Sequence, residues 1–252
     1  MTHTPDIKRP SRELVQALAK VGSATASSEL YKLGIKDPAI KGPIPFTRGR
    51  AIAGPALTLQ FMPKREDLYG DSEYADREKQ LHRHVLYHTQ PGDIVVVDAR
   101  GDLNSGIFGE MMLTYFAGKG GIGMVIDGSI RDASKAFDLH LGFWIRGTTP
   151  NFHTQTTLMP YAVNVPIACG GTYVEPGDII IADDDGAVSV PVHLAEEVLK
   201  HGSEHAEWEE FSRLQLERGG DLRRYYPLAP EAEPEFEQWK RDNPQAFLGR
   251  RK

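Results

Sequence analysis

Cysteine is nearly missing from these 252 residues: Cys169 is the only one. No intrachain disulfide can form, and a cysteine-rich zinc site is excluded. Long apolar runs are missing too. None approaches the ~18–20 residues of a membrane-spanning helix, so no membrane partner is expected. The opening stretch, MTHTPDIKRPSRE, is polar and lacks the apolar core of a secretory signal. Together with the single cysteine, this makes a cytoplasmic protein the simplest expectation. Excess positive charge is also lacking, since the formal net charge is −6. The chain carries no basic footprint of a nucleic-acid binder, and the terminal GRRK is too short to supply one. Nucleophile signatures are absent. No G-x-S-x-G occurs, and Cys169 lies in the apolar PIACGG, where a buried structural thiol is expected. No lysine has an obvious apolar pocket for Schiff-base chemistry. Lys135 comes nearest, on a helix position expected to be exposed.

What is present fits a globular enzyme-sized fold. Hydrophobic residues make up 40% and charged residues 25% of a length that suits one large domain or two small ones. Residues 11–22 read as a helix with Ser11 as N-cap, Leu14, Leu18 and Val21 on one face, and Gly22 as its stop. Residues 27–34 read as a second short helix. Glycine, proline and alternating apolar residues over 40–63 predict strands and turns. Residues 67–79 are highly charged and read as an exposed loop entering a helix, and EKQLHRHVLYHT reads as a helix broken before Pro91.

One rhythm then repeats. A buried strand over 93–99 leads through RGDLNSG to a helix around 107–117. A strand over 122–127 leads through GSIR to a helix around 132–139, and GFWIRG is the next strand. Strand–helix–strand order of this kind implies parallel pairing with right-handed crossovers. After Asn151 short strands separated by EPGD and DDDG take over, followed by amphipathic helix from His193 to Gly220. The proline- and acid-rich end reads as an extended arm.

Several patterns have plain structural readings. Gly118, Gly120 and Gly123 match G-x-G-x-x-G, but follow a helix and open a strand, the reverse of a dinucleotide site. His82, His84 and His88 share one predicted helix without the carboxylate of a zinc-protease motif, and read as surface or core histidines. Asp183, Asp184 and Asp185 stand before Gly186 between two apolar runs, which signals a hairpin.

The two strand-to-helix junctions are different. NSGIFGEMM, residues 104–112, offers Asn104 or Ser105 as a cap, Gly106 and Gly109 for close approach, and free N–H groups for an anion. Glu110, in the first turn, complements the helix dipole by ~0.3–1 kcal/mol or handles a proton or a metal-bound water. Asp132 stands in the same relation to the next strand, beside Arg131. The pair reads either as a salt bridge or as a cation holder next to an anion holder. Neighbouring junctions open at the same edge of a parallel sheet, where such sheets bind ligands.

GEMM, GKGGIGMVIDGSIRD, GFWIRGTTPN and VNVPIACGGTYVEPGDIIIADDDGAVSVP resemble the RraA-like family, over roughly residues 14–199. That family includes class II 4-hydroxy-4-methyl-2-oxoglutarate/4-carboxy-4-hydroxy-2-oxoadipate aldolases and regulators of ribonuclease E activity. The resemblance implies an α/β fold of the swivelling-domain type, a compact α/β/α sandwich around a partly open β-barrel. It implies one domain over 1–252, with its core at about 14–200 and a C-terminal helix and arm over 201–252 near subunit contacts. The implied activity is divalent-metal-dependent cleavage of a 2-oxo acid through a pyruvate enolate, with oxaloacetate decarboxylation at the same site, in a homotrimer or hexamer. Asp132 would bind Mg²⁺ or Mn²⁺ directly and Glu110 through water. Glu207 of a neighbouring subunit would complete the shell, with Glu204 and Glu210 as alternatives. Arg131 and the amides of Met111 and Met112, after Gly109, would hold the pyruvyl group. The family's early D-A-L is Ser28-Glu29-Leu30 here, and the arm after Arg218 is longer than in compact members. A protein-binding regulator and a metal-dependent sugar-acid dehydratase or isomerase are the rival readings.

Overall fold

The computed structural model describes residues 3–152 and 157–243; the terminal GRRK lies outside them. The described chain divides into two compact units, Met1–Val198 and Leu199–Lys252. In chain order the first holds α1 (Arg12–Leu18), α2 (Ser23–Lys32), β1 (Ile44–Pro45), β2 (Ile52–Pro63), α3 (Asp71–Ala75) and α4 (Leu81–Tyr87). There follow β3 (Ile94–Gly106), α5 (Glu110–Gly118), β4 (Gly123–Ile130), α6 (Ala133–Phe137) and β5 (Gly142–Thr148). Five short strands come next: β6 (Leu158–Val163), β7 (Ile167–Cys169), β8 (Thr172–Val174), β9 (Ile179–Asp183) and β10 (Gly186–Val190).

Strands β3, β4 and β5 pair in parallel, as the repeated strand–helix rhythm predicts, and β2 joins them in parallel beside β3. Their sequences are apolar on both faces because both faces are covered. Leu57, Leu59, Val95, Val97, Ile126 and Ile145 pack towards Leu86, Leu113, Phe116 and Ala136 of the helices. The alternate residues Ala56, Val96, Val125 and Trp144 meet Ile180, Ala182, Ala187 and Cys169 on the other side. The sheet runs β1-β5-β4-β3-β2-β9-β10. The segment before β1 nearly closes it into a barrel: the Ile40 amide donates to Ala187 O at 2.8 Å and the Ser189 amide to Pro38 O at 3.0 Å, while Ile44 pairs with Ile145.

The DDDG stretch is the expected turn, joining β9 and β10 as an antiparallel hairpin. Gly118 to Gly123 end α5 and open β4, as expected of a helix stop. Cys169 is fully buried, its thiol 3.3 Å from Val97 O, and burial pushes its pKa well above the usual thiol range. Asp98 and Asp127 are buried on the same face of the sheet. Arg146 Nε donates to Asp127, and burial raises the Asp98 carboxyl.

Three local readings are corrected. Helix α1 stops at Leu18, with Ser11 capping it as expected by accepting from the Leu14 amide at 3.2 Å. Gly22 then opens α2, four residues earlier than the sequence suggests. The Asp183 carboxylate, 160 residues away, takes the Ser23 amide at 2.7 Å and its hydroxyl at 2.6 Å. Strand β3 also runs on to Gly106 through the stretch read as a loop. Arg100 and Gly101 take left-handed conformations (φ 59° and 71°), and pairing with β4 jumps from Val97–Ile126 to Asp102–Gly128. The excursion lets the ladder resume, so Asn104 and Ser105 are strand residues, and Gly109 is the N-cap of α5.

The third correction concerns the C-terminal unit. Helix α7 (Ala195–Glu217) runs into it, and α8 (Leu222–Tyr225) and α9 (Glu233–Asp242) occupy the stretch read as an extended arm. Pro230 opens a single 3₁₀ turn (Pro230–Ala232) just before α9, and Pro234 sits in the first turn of α9, where the missing N–H has no helical acceptor to lose. Within this unit Phe211 is buried among Tyr225, Phe236 and Trp239, with ring centroids 5.6–5.9 Å apart. No helix among the described residues is long and apolar enough to cross a membrane.

The chain before α1 is held to the first unit at several points, among them Ile7 in the core, the Asn164 side-chain amide donating to Pro5 O at 2.8 Å, and an ion pair to a buried aspartate. Arg9 Nη2 lies 2.8 Å from Oδ2 of Asp93, whose side chain is 0% exposed. Removing a partner from such a pair strands a buried charge. Arg9→Ala is expected to destabilise the fold by ~3–5 kcal/mol, read as the change in urea unfolding free energy; a change below ~1 kcal/mol would show that Asp93 is satisfied without it.

Candidate active site

The ends of β3 and β4 lie side by side, and their loops stay stitched beyond the strands. The Ile107 amide donates to Ser129 O at 2.9 Å and the Arg131 amide to Phe108 O at 3.0 Å. Both following helices, α5 and α6, therefore start at one edge of the sheet. Asp132 is held in the left-handed region (φ 56°, ψ 37°), which few residues besides glycine, asparagine and aspartate adopt readily. This conformation accompanies a carboxylate turned to the neighbouring loop: Asp132 Oδ2 accepts the Glu110 amide at 3.2 Å. Helix α5 thus takes its capping acceptor from the next junction, since its own N-cap, Gly109, has no side chain.

Glycine is required for this approach. A Cβ on Gly109 would stand 2.6 Å from Asp132 Oδ2 and 2.7 Å from Arg131 Nε. One on Gly106 would stand 2.4 Å from Asn151 O and 2.9 Å from Arg131 Cβ.

The opening alternatives for Arg131 and Asp132 are both visible in the geometry. Arg131 Nε is 3.6 Å from Asp132 Oδ2, and the side chains are 41% and 44% exposed. A contact this long and this exposed is worth ~0–1 kcal/mol. The Arg131 guanidinium donates no hydrogen bond to any described residue, so its planar fork is available to an anion. Glu110 Oε2 pairs with Lys135 Nζ at 3.3 Å. The Met112 amide already donates to Gly109 O at 3.1 Å; the Met111 amide has no acceptor among the described residues. The structure therefore brings together Gly109, Glu110, Met111, Met112, Arg131 and Asp132. Glu207 lies on α7 in the C-terminal unit with Glu204 and Glu210, the last paired with Arg213 at 2.6 Å.

A cavity of about 290 Å³ opens on this junction, lined by Gly109, Met111, Met112, Arg131 and Asp132. Its other wall is Tyr74, Arg83, Tyr87, Tyr115 and Phe152. The rings pair as Tyr74–Phe152 at 5.6 Å and Tyr87–Tyr115 at 6.2 Å. Sequence reasoning missed this wall. Its one legible sign is the helical spacing that puts Tyr115 four residues after Met111. Of the three histidines on and after α4, His82 lines the cavity. His84 is buried beside Tyr87, and His88 hydrogen-bonds Thr4 at 2.8 Å.

A divalent cation can be judged against these donors. Asp132 and Glu110 offer carboxylate oxygens, the ligand type of Mg²⁺ and Mn²⁺. No group of three or more His, Cys, Asp or Glu suited to a metal occurs among the described residues. The donor type fits, and one chain supplies only part of a shell.

Gly109→Ala tests the interlock. Oxalate, a planar dicarboxylate, is expected to raise the melting point of the wild type; the added methyl should push Asp132 and Arg131 off the loop and abolish that rise, while the unliganded melting point falls only a few degrees. Retained oxalate stabilisation would show that the close approach is dispensable.

The sequence model of the RraA-like family (Aldolase/RraA) matches residues 23–189. A protein of Halalkalibacterium halodurans named "Putative 4-hydroxy-4-methyl-2-oxoglutarate aldolase" is 33% identical over 156 residues, 62% of this chain and 67% of that one. Protein DlpA of Legionella pneumophila is 29% identical over 198 residues; the match covers 74% of this chain and 29% of DlpA. Among solved structures, Streptomyces coelicolor RraAS2, described as an unusual member of the RNase ES inhibitor RraA family, is 46% identical. It superposes with a TM-score of 0.74 over 82% of this chain and 98% of its own. The nearly closed barrel of parallel and antiparallel strands, the matched span and these relatives agree: the chain belongs to the RraA-like family.

Proposed function

We propose that this chain is a class II lyase that uses Mg²⁺ or Mn²⁺ to cleave a 2-oxo acid through a pyruvate enolate, by retro-aldol reaction and, at the same site, oxaloacetate decarboxylation. One observation carries the reading: a left-handed Asp132 presents its carboxylate beside an exposed arginine, held only by a long contact to it, and the start of α5.

Asp132 would hold the metal directly and Glu110 through water. When bound, a divalent cation supplies Lewis acidity at the 2-oxo group. Arg131 binds the pyruvyl carboxylate and 2-oxo oxygen and stabilises the negative charge that grows on that oxygen as the carbon–carbon bond breaks. Fixed charge aimed at a developing oxyanion is commonly the largest catalytic contribution. The Met111 amide, at the positive end of α5, adds a donor for the carboxylate. Glu110 moves a proton through the adjacent water. The aromatic wall encloses the remote half of the substrate and excludes water from the enolate. Two carboxylates leave the shell incomplete, which supports a trimer or hexamer in which Glu207 of a neighbouring subunit contributes. The 33% identical relative named as an aldolase supports the reaction class. The 46% identity to RraAS2 favours a second reading, a protein-binding regulator; that role needs the fold but neither the exposed Arg131 guanidinium nor the Asp132 carboxylate beside it.

Asp132→Asn separates them. Asparagine tolerates the same backbone and can still accept the Glu110 amide, so only the charge is lost. In a 2-oxo acid screen coupled to pyruvate detection, the wild type should lose activity in EDTA and regain it with Mg²⁺ or Mn²⁺. Asp132→Asn should be inactive, with its fold intact and its metal-induced rise in Tm gone. Arg131→Lys should keep that rise and lose at least ~10²-fold in turnover, because lysine lacks the planar fork. Full turnover by demonstrably metal-free wild type would overturn the proposal.

A further inference from the structure

Lys135 stands one helical turn after Asp132, its amide bonded to Asp132 O at 3.1 Å and its ammonium 3.3 Å from Glu110 Oε2. It does not line the cavity, and Glu110 is its one ionic partner among the described residues. Its effect is on charge. Glu110 and Asp132 contribute two negative charges, and Arg131 and Lys135 contribute two positive ones, so the junction is formally neutral. Arg83, which lines the same cavity, adds a further positive charge, so a divalent cation approaching Asp132 meets no net attraction from these side chains. Arg131 has a substrate to hold; Lys135 has only Glu110. The pair is open to water, with side chains 68% and 32% exposed, and exposed pairs of this kind separate readily. A lysine ammonium is a mobile point charge on a flexible stem.

We propose that Lys135 is an internal competitor for the metal, a cation that neutralises Glu110 and must swing away when a divalent ion binds. The proposal rests on the metal-dependent reading above. Lys135 then acts through Glu110 as a positioning residue that holds metal affinity down, so the site loads and unloads with the free-metal concentration and ionic strength.

The test is the dissociation constant of Mn²⁺ alone, measured by electron paramagnetic resonance of the free ion on the full chain, without substrate, at low salt. Lys135→Met should bind Mn²⁺ about 3–5-fold more tightly than wild type, the scale of an exposed ion pair. Lys135→Gln should match it, which keeps the test open should the methionine variant fold poorly. Lys135→Arg should retain the wild-type value. Raising the salt to ~1 M should erase the difference, since screening then acts within ~3 Å. A merely structural lysine would leave all four constants equal. Equal constants, or weaker binding in the neutral variants, would overturn the proposal. If wild type binds Mn²⁺ and Asp132→Asn does not, such a result removes Lys135's role alone. If no variant binds Mn²⁺, the metal-dependent reading falls and this inference with it.

Discussion

One hydrogen bond organises the site: the Asp132 carboxylate reaching across to the Glu110 amide at 3.2 Å. It joins two junctions that belong to different strands and lie 22 residues apart. The bond accompanies a left-handed Asp132, whose carboxylate caps the neighbouring helix and makes no capping bond to its own. It demands glycine at 109, because any Cβ there would occupy the space of the carboxylate and of Arg131 Nε. It also makes a conventional side-chain cap on α5 unnecessary. Cap, left-handed backbone and glycine belong to one arrangement, in which a carboxylate and a guanidinium face the same opening at the edge of a parallel sheet.

The rest of the first unit keeps that edge in register. Parallel pairing of β3 and β4 brings both loops to one side, and the amide bonds of Ile107 and Arg131 carry the pairing into the loops. The buried aliphatic layers on both faces fix the strands, and fixed strands place charged groups more sharply than loops can. Across the opening, rings from α4, α5 and the segments near Tyr74 and Phe152 form an apolar wall. The cavity thus combines Asp132 and Arg131 at the junction with a lining of rings in which Arg83 and His82 are the polar members.

Legibility in the sequence followed the range of the interactions. The parallel order of β3, β4 and β5, the DDDG hairpin, the buried Cys169 and the Ser11 cap depend on local pattern, and all are read correctly. Glu110, Arg131 and Asp132 stood out because two adjacent junctions each carried an unexpected charge. The start of α2 was not legible, because its cap is Asp183, 160 residues distant. Nor was the cap of α5: Asn104 and Ser105 have the right chemistry, but the ladder claims them for β3. The C-terminal helices were hidden by prolines whose place in the first turn only the structure reveals. The aromatic wall was hidden because its residues come from four separate segments and share no spacing.

The central claim is that Asp132 and Arg131 address the two ends of one reacting group. Anomalous diffraction from crystals of the protein soaked with Mn²⁺ and oxalate tests it most directly. The account predicts a manganese peak bonded to an Asp132 oxygen at roughly 2.0–2.3 Å, the range of hard-cation carboxylate bonds, with oxalate bound to the same ion and clasped by Arg131. Manganese bound away from Asp132, or oxalate bound to Arg131 with Asp132 still paired only to its neighbour, would contradict it.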